Sequence, residues 1–277
     1  MMRLSRRARR SILSWAILSP LLVLCLFPYA VMFITAIKPA SEVLRPTWWP
    51  ADPAWENFRD MWAVTGFGVA LTNSLKVSIL STLIALAVSI PFAYALDRYR
   101  FAGRGALQQF LLVTQMLSPI VLVIGLFRLI VWLGLIDTTW SLVFIYSAFN
   151  IAFTVWMLQS YFATIPRELE EAAWMEGASR LQAIAQVFLP LALPAITVTA
   201  LFGFINAWNE FVIALTVLRS EESHTLPIRI FSLVAGRYTV EWHHVMAAAL
   251  VATVPVAVVF SWLQRYLVRG LGAGAVK

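Results

Sequence analysis

Charged side chains are in short supply in this sequence. Only 13% of its 277 residues are Asp, Glu, Lys or Arg, against 61% hydrophobic, and the mean hydropathy is +0.79. A soluble domain is roughly 25% charged. No globular core of this length could bury so much apolar surface, so lipid must solvate part of it. Cysteine is almost absent. Cys25 stands alone inside an apolar run, which excludes an intrachain disulfide and reads as a packed rather than a reactive thiol. His224, His243 and His244 lack a metal-ligand spacing such as HExxH, so they read as loop residues and no metal site is expected. None of the three lysines, Lys38, Lys76 and Lys277, follows a glycine. A GxxxxGK(S/T) phosphate loop is therefore missing, and the chain cannot hydrolyse ATP by that chemistry.

What is present is arginine in short segments between long apolar runs. The net charge of +7 could suggest nucleic acid, but this placement is the pattern of membrane orientation, and no nucleic-acid partner is expected. Six stretches approach the roughly 20 residues a bilayer demands: 12–37, 71–96, 107–132, 139–162, 187–218 and 244–267. Lipid forces backbone groups to pair within each segment, so an all-α membrane protein with six transmembrane helices is expected. A basic segment, 1–11, precedes the first run. Arg3, Arg6, Arg7, Arg9 and Arg10 resemble a signal peptide's head, but the run is too long for a cleaved segment and no small-x-small site follows, so a retained helix is expected. With the N-terminus inside, thirteen Lys and Arg fall on the cytoplasmic side and six outside, which places both termini in the cytoplasm. Lys76 and Arg128 lie within spans and are expected to snorkel or pair. An external loop over 38–70 carries Pro39, Pro46, Trp48, Trp49, Pro50, Pro53, Trp55 and Trp62, suited to the membrane interface. The helical core then runs over 71–270, and a tail over 268–277 returns to the cytoplasm.

The connection 163–186 is the informative segment. It reads Ile165-Pro166-Arg167-Glu168-Leu169-Glu170-Glu171-Ala172-Ala173-Trp174-Met175-Glu176-Gly177-Ala178. Pro166 suits a first helical turn, the glutamates suit the positive end of the helix dipole, and the two alanines let a partner surface approach closely. Gly177 ends the short helix. Such a helix on the inner side of a membrane bundle reads as a docking element, with an ordinary solvated loop as the bland alternative.

Glu171-Ala172-Ala173, then Gly177, then Val187-Phe188-Leu189-Pro190 resembles the EAA motif of bacterial ABC importer permeases. Members commonly have Asp before the glycine and Ile before x-Leu-Pro; Glu176 and Val187 are mild departures. Ala207-Trp208-Asn209-Glu210-Phe211 and the glycine-rich tail Arg269–Lys277 resemble the MalG-like branch, the second permease of carbohydrate importers. The resemblance covers almost the whole chain and implies a MetI/MalG-like permease fold in the bacterial inner membrane. It implies that Glu170, Glu171, Ala172, Ala173, Glu176, Gly177, Ala178, Leu189 and Pro190 couple the chain to an ATPase, and that Gly272, Gly274 and Lys277 of the tail touch it. It also implies a sugar or polyol as solute, with a second homologous (MalF-like) permease, an ATPase dimer and an external binding protein as partners. ATP and Mg would be bound by the ATPase subunits, leaving no cofactor and no catalytic residue in this chain.

Polar groups inside the spans are the candidate path. Asn206, Asn209 and Glu210 lie within about one turn, and a mid-span carboxylate costs about 2.5–3.5 kcal/mol unless paired or wetted. They and Asn150 read either as lining or gating the path or as interhelical hydrogen bonds that fix packing. Ser74, Ser78 and Ser81 recur at helical spacing and read as tight packing. Three other functions compete. An ABC permease for amino acids, peptides or phosphate would share the motif. An ion-coupled secondary transporter should show internal repeats and paired midplane charges, and a membrane-embedded enzyme should show clustered catalytic groups. Neither pattern is found.

Overall fold

The computed structural model describes residues 6–235 and 240–274, with side chains over 14–235 and 240–264, and every regular element among them is helical. The chain divides into two compact units, 1–67 with 230–254 and 68–229 with 255–277. In the first, α1 (Arg6–Ala36) presents Trp15, Leu24 and many other large apolar side chains outward, as lipid solvation requires. Cys25 is exposed on this helix rather than packed, because its apolar neighbours Val23, Leu24, Leu26 and Phe27 are exposed as well and the chain does not cover that stretch. The proline- and tryptophan-rich segment that follows folds back on itself. The Lys38 ammonium is buried and donates to the carbonyls of Arg45 (3.2 Å) and Thr47 (2.6 Å), while the Asn57 amide donates to those of Ala36 and Lys38, both at 2.9 Å. Asn57 lies on α2 (Glu56–Thr65), a helix inside the expected loop.

The second unit contains most of α3 (Phe67–Arg98), then α4 (Arg104–Met116), α5 (Pro119–Trp132), α6 (Thr139–Phe162) and α7 (Glu168–Met175). Next come α8 (Arg180–Ala183), a five-residue π-helical segment (Ile184–Phe188), α9 (Leu189–Asn209) and α10 (Val212–Val217). Two of the spans differ from expectation. The expected helix over 107–132 is two helices bent by 100°. Ser118 precedes Pro119, which disfavours helical ψ at Ser118; its ψ is 131° and Pro119 opens α5. The expected helix over 187–218 starts at Arg180 and stops at Asn209, where Glu210 turns extended with ψ 129°. Among the described residues, five helices are long and apolar enough to cross a membrane, six when the bent pair counts as one.

Towards the far end of the chain, α11 (Leu226–Ser232) and α12 (Trp242–Gly274) follow. His243 and His244 are buried in the first turn of α12 rather than in a loop. Ser74, Ser78 and Ser81 are all buried on α3, and Ser74 Oγ accepts the Leu226 N–H at 2.8 Å. Lys76 lies over the Trp140 ring, 5.3 Å from its centroid.

One polar staple holds the α5–α6 turn. Asp137, at φ +58°, donates its N–H to the Val217 carbonyl, and its Oδ1 accepts the N–H of Arg219 (2.8 Å), the N–H of Ser220 (3.0 Å) and the Ser223 hydroxyl. Burial pushes this carboxyl's pKa up, but the hydrogen bonds outweigh it and hold it below the usual carboxylate range. A depressed folded-state pKa stabilises above the unfolded value of about 3.9 and fades as pH falls below it. Asp137→Ala is therefore expected to cost about 1–2 kcal/mol at neutral pH. Thermal unfolding followed from pH 6 downward should show the gap between variant and parent closing as the medium passes below about pH 3.9.

Candidate functional site

Two capping motifs set back to back shape the α6–α9 connection. At the end of α7 the Gly177 N–H bonds to the Trp174 carbonyl and the Ala178 N–H to the Ala173 carbonyl, both at 3.0 Å, with Gly177 at φ +92°. This is a Schellman closure, and its left-handed position favours glycine. Ser179 then opens α8 with a capping box: its Oγ accepts the Gln182 N–H at 3.3 Å, and Gln182 Oε1 accepts the Ser179 N–H at 2.8 Å. The junction between the two helices is thus closed from both sides, so the angle between α7 and α8 is set locally.

The surface this creates is apolar where no lipid-length helix exists. Glu171, Ala172, Glu176 and Gly177 are exposed, and Ala173 and Ala178 half-exposed. Among them stand Leu169 and Trp174, with Met175 at 89% and Leu181 at 78% exposure. Glu170 is the exception: it is 2% exposed and points towards α3. Its place in the helical register puts it opposite the acidic, exposed side. Leu189 also turns inward, against a core of Phe162, Phe188 and Ala192, while Pro190 is exposed in the first turn of α9. Gly272 and Gly274 lie in the last turn of α12; Lys277 falls outside the described residues.

The polar residues of the spans separate into two groups. Asn150, Asn206 and Glu210 line one cavity of about 250 Å³, together with Thr114, Gln115, Tyr146, Phe149 and Phe153. Asn209 does not; it is exposed and its amide bonds to the Ile205 carbonyl of its own helix at 3.0 Å. Asn150 also donates to the Gly203 carbonyl at 3.4 Å. A Cβ at Gly203 would stand 3.5 Å from Thr82, so α3, α6 and α9 converge beside the cavity wall. Glu210 is tied on three sides. Its Oε1 accepts the Ile213 N–H at 2.9 Å, and its Oε2 accepts the Ala214 N–H at 3.1 Å and the Tyr146 hydroxyl.

Sequence reasoning misses Tyr146, Phe149 and Phe153, because aromatics on an apolar helix look like core. The available signal is their spacing around Asn150, which puts Tyr146, Asn150 and Phe153 on one helical face. It also misses Tyr94 and Arg98, the partners of Glu170.

Comparison with known proteins agrees with this architecture. Residues 89–272 match the family model described as binding-protein-dependent transport system inner membrane component. The chain is 35% identical to the diacetylchitobiose uptake system permease protein DasC of Streptomyces coelicolor, over 91% of each chain. It is 34% identical to the trehalose/maltose transport system permease protein MalG of Thermococcus litoralis, over 92% of each. A crystal structure of a bacterial ABC transporter that imports the acidic polysaccharide alginate shares the fold, with a TM-score of 0.80 at 24% identity, covering 96% of this chain and 99% of that one. The chain thus belongs to the binding-protein-dependent ABC importer permeases: it is a multi-pass, non-catalytic membrane subunit of the inner membrane.

Proposed function

We propose that this permease carries a sugar or related polyol, forming half of a pathway whose other half is a second, homologous permease. The observation that carries the reading is the cavity. Carbohydrate offers hydroxyl groups around a ring with apolar faces. The amides of Gln115, Asn150 and Asn206 can donate to and accept from hydroxyls, and Tyr146, Phe149 and Phe153 supply aromatic surface. The names of relatives such as DasC and MalG, which refer to diacetylchitobiose and to trehalose and maltose, support the same class.

The energy enters at α7. Its exposed Leu169, Ala172 and Met175 make a small apolar face suited to seating in a cytoplasmic ATPase subunit, with Glu171 and Glu176 as its charged rim. Nucleotide binding would close the ATPase dimer, displace α7 and rock the helices from inward-facing to outward-facing, while an external binding protein delivers the solute. An Arg269–Lys277 tail contact with the ATPase belongs to the same proposal.

The test is co-purification of the complex from native membranes, followed by ATP hydrolysis with the binding protein and a panel of neutral sugars and polyols. Stimulation by at least one sugar is expected, and the isolated chain should hydrolyse no ATP. Stimulation by amino acids, peptides or phosphate with none by sugars would overturn the solute class.

A further inference from the structure

We propose that Glu170 and Arg98 form a buried brace that makes α7 move as one body with the end of α3, and that this brace determines how much of the ATPase motion reaches the membrane helices. The inference rests on the coupling role proposed above for α7. It assigns Glu170 a positioning role behind the docking face rather than on it.

Apart from the capped junction with α8, little else holds α7. The helix has eight residues, well short of the ~12–15 that an isolated helix needs to be even marginally stable, and its one buried residue is Glu170. Apolar packing therefore does little to fix its orientation. The Glu170 carboxylate does so with two charge-assisted bonds: Oε2 accepts the Tyr94 hydroxyl at 2.6 Å and Oε1 accepts Arg98 Nε at 2.7 Å.

Arg98 extends the brace in three further directions. It donates to the Ile165 carbonyl at 3.0 Å, pairs with Asp97 at 2.7 Å, and lies over the Phe188 ring, 5.1 Å from its centroid. Arg167 closes the circle by donating to the Asp97 carbonyl at 2.9 Å. Phe188 is itself wedged edge-on against Tyr94 and Phe162, with centroids 4.9 and 4.8 Å away. One guanidinium thus touches the end of α3, the strap entering α7, α7 itself and the π-helical segment that leads into α9. Net stability is a weak reason for such a pair, since apolar side chains of similar volume often replace a buried ion pair without loss. What the pair supplies is direction: planar, bidentate-capable geometry fixes orientation where an apolar contact would let α7 pivot.

The test uses the importer purified as a whole complex and reconstituted in liposomes, with Glu170→Gln, Arg98→Met and both together. Each single variant is expected to lower solute taken up per ATP hydrolysed at least ~5-fold, as the loss of a coupling interaction between sites does. The double variant should be no worse than the poorer single one, and the ATPase subunits should still co-purify. Tyr94→Phe, which spares the ion pair, should fall between. An unchanged uptake-per-ATP ratio in Glu170→Gln overturns the brace. If only the double variant assembles, a low ratio supports the proposal and a normal ratio reduces the cluster to packing, overturning it. Failure of all three to assemble assigns the cluster to folding and also overturns it. Normal uptake in a Gly177→Val control would sink the coupling role of α7 itself; loss there with a normal Glu170→Gln sinks the brace alone.

Discussion

Gly177→Val is expected to abolish uptake by the assembled importer while leaving the permease inserted and folded. At φ +92° a β-branched residue is strained whatever space surrounds it, and the cost of holding it there is about 1–3 kcal/mol. Nothing lies within 4 Å of a Cβ built at this position, so the membrane core should not register the change. The strain relaxes locally instead: φ retreats to negative values, the Schellman bonds from Gly177 and Ala178 open, and α7 loses its fixed angle to α8. If α7 passes force from the ATPase, even a displacement of this kind removes productive contact. Gly177→Asn should retain part of the activity, because asparagine tolerates the left-handed region better than other residues. Uptake in proteoliposomes, set beside membrane extraction and thermal unfolding of the same preparations, measures both halves. Wild-type uptake in the valine variant would remove the coupling role from this segment.

How much of this was legible in the sequence depended on the kind of signal. Length and apolarity identify membrane helices because the bilayer makes a simple demand, and the EAA spacing marks the connection after α6. Helix ends and breaks are another matter. The bend before Pro119 has a local cause that counting apolar residues overlooks. Glu210 reads as a charge placed within a span, whereas in the structure the backbone breaks there and the carboxylate caps α10. Burial is the least legible property of all. Glu168, Glu170 and Glu171 are alike in a sequence, and the inward place of Glu170 shows only against its partners, among them Arg98, 72 residues earlier in the chain. Cys25 shows the reverse error: in a soluble protein an apolar neighbourhood implies packing, but in lipid it can equally describe an exposed helix face.

Glu210→Ala should be the most damaging single change within the spans. Phe211 occupies the cap position of α10 but has no side-chain acceptor, so the preceding carboxylate satisfies the N–H groups of Ile213 and Ala214. Alanine leaves those two donors and the Tyr146 hydroxyl without a protein acceptor at membrane depth, where each unmet group costs about 1–3 kcal/mol. The combined loss is about 3–9 kcal/mol before relaxation or water entry reduces it. Glu210→Gln keeps an acceptor oxygen and should lose less, and Tyr146→Phe, which removes one donor and its need together, should lose least. The double variant Glu210→Ala, Tyr146→Phe should be no worse than Glu210→Ala, because the two share one bond. Thermal unfolding of the purified importer gives this order, and uptake kinetics divide the two readings of the residue. A cap lowers stability and the amount of active complex without moving the apparent affinity for solute. A solute contact leaves the glutamine variant as stable as the parent and raises its half-saturating concentration. The second pattern would take Glu210 out of the scaffold and put it in the path.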